Sequence, residues 1–344
     1  NARLLIMDEP TSALTSREID ELFRIIRQLR DEGKGIVYIS HRLEELQHIV
    51  DRVTILRDGQ FVLETDFADI TMPEIISNMV GREIKEKFPR VQCQKGKKVL
   101  EVKHLNAGHM VRDVSFESYE GEILGFAGLM GAGRTETTRA IFGVDPKESG
   151  QIFIDGKEVR IRGPMDAIRQ GLVLAPEDRK KDGLCTKLSI RSNLELPNLD
   201  IACTKAGVVK RSVVTQMVQR AKESFAIKMP NDEVDAGSLS GGNQQKLVVG
   251  KWLARQSRVV IFDEPLVGLD PHAIKQLKEM FFEMRDSGCA VLISTHMLDS
   301  VEGLWDVAHI MMNGRFAATR RKGEEHEQSL EELFFAITEG ATEA

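Results

Sequence analysis

Cysteine is scarce in this sequence: Cys93, Cys185, Cys203 and Cys289 lie far apart among 344 residues. None forms a CxxC pair, which argues against a zinc site and a disulfide framework and favours a reducing, cytosolic setting. Aromatic residues make up 6%, too few for the stacking platforms of single-stranded nucleic acid binders. Basic charge is not in excess either. Lys and Arg number 47 against 53 Asp and Glu, a net charge of −6, so the electrostatic footprint of DNA binding is missing and no nucleic acid partner is expected. No apolar run nears the roughly 18 residues of a spanning helix, and no charged-then-apolar leader opens the sequence. The first residue is Asn1 rather than Met, so a longer parent chain is expected.

What is present is ordinary globular material, 42% hydrophobic and 29% charged, enough for two domains at about 150 residues each. It is organised by a repeat. LLIMDEPTSALT at 4–15 returns as VVIFDEPLVGLD at 259–270, an offset of 255 residues. His41 and His296, Asp51 and Asp306, and Gly59 and Gly314 keep the same offset. Each copy reads as a buried parallel strand, a helix and a second buried strand. In the first copy Thr15 and Glu18 form a capping-box pattern, and Ile19, Leu22, Phe23, Ile26 and Leu29 mark one helical face. In the second, Asp270 suits the N-cap and Pro271 the first helical position. Gly33 and Gly288 are placed to stop the helices. Alternating strands and helices predict an α/β fold with a parallel sheet.

The copies are unequal. The strand-rich stretch from Val99 leads into the second copy, and its counterpart would fall ahead of residue 1. The first copy is therefore expected to be the rear part of a domain. Residues 1–82 form that part, 83–98 a charged linker, 99–322 a complete domain and 323–344 a charged tail closing in a short helix.

The second copy carries the chemistry. GEILGFAGLMGAGRTETTRAIFG sets a glycine-rich turn between a strand and a helix. Against GxxxxGK[ST] it reads Gly128, four residues including Gly131 and Ala132, then Gly133, Arg134 and Thr135. Such a turn wraps a phosphate and offers it the unpaired N–H groups of a helix start. Thr135 suits Mg²⁺ as a hydroxyl ligand, while Arg134 replaces the usual lysine with a planar fork. A carboxylate put at Gly133 is expected to displace a phosphate. Asp263 closes an apolar strand and suits the Mg²⁺ shell. Glu264 suits orienting or deprotonating water, and His296 ends the next strand within reach of a terminal phosphate. LSGGNQQK at 239–246 sets Ser240, Gly241 and Gly242 ahead of another helix.

P-loop, LSGG, DEP and histidine in this order resemble an ATP-binding cassette (ABC) ATPase, the motor subunit of a membrane transporter. The GLMGAGRTE loop, LVLAPEDRKKDGL at 172–184 and LSGGNQQK resemble the tandem-cassette ATPases of ribose, galactose and xylose importers. The resemblance implies a P-loop NTPase fold with a partial first cassette and one complete cassette, the latter having a β-subdomain and a helical subdomain. It implies ATP and Mg²⁺ as cofactors, Glu264 and His296 as catalytic residues, and Glu177 in the place of the Q-loop glutamine. Asp8, Glu9 and His41 are the first-cassette equivalents. The implied partners are integral membrane permease subunits, indirectly a periplasmic sugar-binding protein, and a second copy of the chain. The implied place is the cytoplasmic face of the inner membrane.

From about residue 259, DEPLVGLDPHA, ISTHMLDSVEGLWDVAHIMMNGR and SLEELFFAITEG resemble export-type cassettes. A truncated or hybrid cassette that binds nucleotide without transport therefore stays open. Soluble twin-cassette translation factors carry a long charged arm and an LSGGxxxR signature, which this sequence does not match. The 104–112 stretch offers only His104 and His109 for a stacking role, and neither is assigned one.

Overall fold

The computed structural model describes residues 2–8, 10–11, 16–40, 43–57, 59–80, 96–253, 255, 257–269, 271–298, 303–324 and 330–340. The chain divides into two compact units, one of Asn1–Arg90 with Leu269–Lys275 and one of Val91–Gly268 with Gln276–Ala344.

The first unit holds β1 (Leu4–Asp8), α1 (Ser16–Asp31), β2 (Gly35–Ile39), α2 (Leu43–Ile49), β3 (Arg52–Arg57), β4 (Gln60–Asp66) and α3 (Met72–Val80). β1 and β2 pair in parallel, and β3 and β4 form a hairpin. Leu46, Ile55 and Ile75 are its buried centre, flanked by Tyr38, Val53, Leu63 and Met72. Phe23 and Ile26 of the expected helical face are buried as well.

The second unit starts with β5 (Lys98–Ala107), β6 (Val111–Tyr119) and β7 (Ile123–Ala127), followed by α4 (Arg134–Phe142), β8 (Ser149–Ile154), β9 (Lys157–Val159), α5 (Pro164–Arg169) and β10 (Leu172–Ala175). A π-helical turn spans Arg179–Gly183. The helices α6 (Ile190–Glu195), α7 (Leu199–Ala202), α8 (Arg211–Ser224) and α9 (Gly241–Leu253) come next. The chain then returns through β11 (Val259–Asp263), α10 (Pro271–Asp286), β12 (Ala290–Thr295), β13 (Val307–Met312), β14 (Arg315–Arg321) and α11 (Leu330–Gly340).

These elements form a six-stranded sheet, ordered β10-β11-β12-β7-β13-β14, and a four-stranded antiparallel sheet, ordered β6-β5-β8-β9. β10, β11, β12, β7 and β13 run parallel, and β14 closes the edge as a hairpin. Every residue of β11 and β12 is buried, as expected of a central parallel strand. Near the C-terminus, Leu330 and Phe334 of α11 pack with Ala127, Leu298, Ala308 and Ile310.

The repeat is structural as well as textual. β1, α1, β3 and β4 have the same bounds as β11, α10, β13 and β14 once shifted by 255 residues. The hairpin irregularity between Ile55 and Leu56 recurs between Ile310 and Met311. Gly33 and Gly288 both end their helices at positive φ, +79° and +92°, which a glycine adopts without steric cost. Thr15, Asp270 and most of the linker lie outside the described residues.

The copies differ in surroundings. Leu4, Ile6, Val37 and Ile39 are each more than two-fifths exposed, whereas their counterparts Val259, Ile261, Leu292 and Ser294 are fully buried. In the second unit β10 and β7 flank the pair β11–β12. Among the described residues β1 and β2 have no such neighbours.

Candidate functional site

The loop between β7 and α4 is shaped by close backbone packing. A Cβ at Gly128 would lie 2.6 Å from the Met311 carbonyl oxygen, and one at Gly133 would overlap the Met110 carbonyl oxygen. Gly131 and Gly133 take φ of +79° and +100°, and the Ala132 N–H donates to the Leu129 carbonyl at 3.1 Å. A substitution at Gly133 therefore acts first on the loop itself, before any carboxylate could meet a phosphate. The turn delivers the chain to α4, whose first N–H groups open onto the loop.

Arg134 begins α4 and is buried. Its Nη1 donates to Glu264 Oε1, with side-chain exposures of 6% and 3%. Arg134 Nε is also buried and has no hydrogen-bond partner among the described residues. Thr135 Oγ1 donates to Asp263 Oδ1 at 3.3 Å, and Ser294 Oγ donates to the same oxygen. The pairing of Asp263 with Ser294 follows from the β11–β12 register.

Glu264 stands one residue past β11 at φ +46°. Its N–H donates to the Ser294 carbonyl at 2.9 Å. Its carboxylate accepts from Thr295 Oγ1 at 3.1 Å and from the His296 N–H at 3.0 Å, and lies 2.8 Å from His296 Nδ1. Burial alone would raise the Glu264 carboxyl, but the His296 hydrogen bond and the Arg134 charge outweigh it and hold the group below the usual range. Asp263 goes the other way. Burial pushes it up to about 6 against the hydrogen bonds from Ser294 and Thr135, with the charges of Glu264 and Glu177 adding to the push. The two adjacent carboxylates are thus shifted in opposite directions by their surroundings.

Ser240 lies just ahead of α9, exposed, and accepts from Asn243 Nδ2 at 2.9 Å. Gly241 sits against Arg179: a Cβ there would be 2.9 Å from Arg179 Nη2. Arg179 Nη1 reaches the Val267 carbonyl at 3.4 Å. None of the hydrogen bonds among the described residues joins Ser240, Gly241 or Gly242 to the P-loop group. Glu177 is exposed on the segment before the π-helical turn, in which the Asp178 carboxylate accepts from the N–H groups of Lys180 and Lys181. Asp8 ends β1, exposed. Glu9 and His41 lie outside the described residues.

The structure thus brings Arg134, Thr135, Asp263, Glu264 and His296 into one hydrogen-bonded group, in the chain order the motifs predict. A profile described as ABC transporter matches residues 111–267. A ribose import ATP-binding protein RbsA of Bacillus cereus is 42% identical over 330 residues, which cover 96% of this chain and 67% of that protein. The chain belongs to the ABC transporter ATP-binding family.

Other relatives agree. The ribose import ATP-binding protein RbsA of Lacticaseibacillus paracasei is 43% identical over 92% of this chain and 63% of its own length. The galactose/methyl galactoside import ATP-binding protein MglA of Fusobacterium nucleatum is 38% identical over 96% and 67%. This chain spans about two thirds of the length of these relatives. At 96% coverage the match includes most of the stretch after residue 259. A solved ATP-binding subunit of an ABC transporter superposes with a TM-score of 0.58 at 28% identity, covering 70% of this chain and 99% of that one. An ABC cassette solved in its ADP conformation matches in fold, with a TM-score of 0.57 at 18% identity, covering 71% and 96%.

Motif reading missed Ser294 and Thr295, the partners of Asp263 and Glu264, although both lie in the AVLIST strand of this ABC domain. It also missed Arg179 beside the signature. Among the described residues no helix is long and apolar enough to cross a membrane, and no cluster of three His, Cys, Asp or Glu forms a metal site.

Proposed function

We propose that this chain is the ATP-binding and ATP-hydrolysing part of a sugar-import ABC transporter. It works peripherally at the cytoplasmic face of the membrane on integral permease subunits, which in turn receive sugar from a periplasmic binding protein. The observation that supports this reading is the junction of α4 with the ends of β11 and β12 through Arg134–Glu264 and Thr135–Asp263.

The residues fit the nucleotide. The loop 128–133 and the start of α4 offer backbone N–H groups to phosphates, and the orphaned Nε of buried Arg134 asks for an acceptor. Thr135 and Asp263 supply the few hard oxygen donors that Mg²⁺ takes beside phosphates, and a bound Mg²⁺ would offset phosphate charge. Glu264 orients the attacking water and His296 holds Glu264 in place. Ser240–Gly242 at the start of α9 serve the site of a second chain, where a helix start stabilises developing negative charge. Glu177 and the exposed Lys180 and Lys181 form the segment that faces a permease. The names of the relatives point to ribose or galactose as cargo.

The first unit is read as the rear of a first cassette, because its β1–β2 pair turns outward the apolar positions that the second copy buries. The same observation favours the second reading, a partial cassette that binds nucleotide without driving transport. ATP turnover per chain, measured at rising protein concentration, tests the shared site that the first reading requires. It is to be followed for wild type, Glu264→Gln, Ser240→Arg and an equimolar mixture of the variants. A shared site predicts turnover that rises with concentration, two silent variants and a mixture that regains activity. Concentration-independent turnover, or a mixture that stays silent while wild type turns over, contradicts it.

A further inference from the structure

Arg134 stands where the P-loop pattern puts a lysine aimed at the terminal phosphates, yet here it is turned onto Glu264, the carboxylate proposed to orient water. The pair is buried on both sides. Glu264 is also held by Thr295, by the His296 N–H and by His296 Nδ1, on a left-handed backbone. In this arrangement the phosphate-binding cation and the water-orienting carboxylate neutralise each other. Parting a buried pair is costly, because each charge is stranded unless a new partner arrives. A phosphate is such a partner. It matches a guanidinium fork in geometry and charge, and it can also take the Nε–H that is buried here without an acceptor.

We propose that Arg134 is a nucleotide-operated latch on Glu264: the ion pair keeps the carboxylate occupied until a phosphate draws the guanidinium away. The proposal rests on the nucleotide reading above. It makes Arg134 a positioning residue for Glu264 as well as a phosphate ligand. Its signature is thermodynamic. If binding must part the pair, removing the Glu264 charge should tighten nucleotide binding, and only while Arg134 is present to be freed.

The test is the affinity of the full chain for Mg-ADP, by calorimetry, in wild type, Glu264→Gln, Arg134→Met and the double variant. Glu264→Gln should tighten binding about tenfold in the wild-type background. In the Arg134→Met background the same change should shift affinity by no more than about twofold. An unchanged affinity in Glu264→Gln, or equal tightening in both backgrounds, overturns the latch. Should Arg134→Met fail to fold, the ¹⁵Nε–H resonance of Arg134, identified by its loss in Arg134→Lys, gives an independent reading. It should move on saturation with Mg-ADP, and a resonance that stays in place overturns the proposal. A wild-type chain that binds no Mg-ADP overturns the nucleotide reading instead.

Discussion

A methyl group at Gly133 would have to share space with the Met110 carbonyl oxygen, on a backbone at φ +100°. Gly131 has a similar φ, +79°, but among the described residues only the Met110 Cε lies within reach of a Cβ there, at 4.0 Å. The contrast makes a residue-level prediction. Gly131→Ala should destabilise the fold by about 1 kcal/mol of backbone strain, and Gly133→Ala by about 3 kcal/mol or more because strain and overlap add. Denaturant unfolding of both variants checks this, and equal losses would contradict it. The residues of the candidate site were readable in the order P-loop, signature, DEP and histidine, since each motif carries a fixed chemical pattern. The partners were not. Ser294 meets Asp263 only because β11 and β12 pair in that register. The turn of Arg134 toward Glu264, 130 positions away, is a matter of tertiary packing that no local spacing encodes.

Among the elements, the repeat was the most readable feature, because a constant offset constrains strands, helix ends and hairpins together. The π-helical turn at 179–183 escaped the reading. Its start is capped by the Asp178 carboxylate, which accepts from two backbone N–H groups, and it has no periodicity to detect. β13 and β14 supply a testable electrostatic feature. His309 of β13 stacks on Phe316 of β14 at 4.4 Å between ring centres, near Phe126 and Phe116, with Nδ1 2.7 Å from Thr319 Oγ1. Burial among these rings, helped by the Arg321 charge, lowers its pKa to about 4. The folded chain thus favours the neutral ring, whereas the unfolded chain takes a proton near pH 6.5. The contribution to stability is full above that pH and is lost as pH falls toward 4, by up to about 3 kcal/mol. The difference in unfolding free energy between wild type and His309→Phe should therefore change steadily from pH 7 to pH 4. A difference independent of pH would contradict the account.

At the scale of the whole molecule, the two units share a plan but not an environment. β1 and β2 keep the register of β11 and β12 while leaving one apolar side outward. Motifs told that the second unit holds the P-loop and the signature. They did not tell that the strands of the first are exposed, because burial depends on neighbours that a strand's own residues do not name. Cargo was legible only through resemblance, since the groups gathered at the proposed nucleotide site suit phosphate and Mg²⁺ rather than sugar. The central claim is that a nucleotide and its Mg²⁺ sit at the meeting of α4 with β11 and β12. The most direct measurement is a calorimetric titration of the intact chain with Mg-ATP, and with ATP in the presence of a chelator, for wild type and Asp263→Asn. The account predicts saturable Mg-ATP binding by wild type that weakens by about tenfold or more in Asp263→Asn, with Mg-free ATP binding little changed. Absence of binding by wild type, or Mg-ATP binding of equal strength in both proteins, would contradict it.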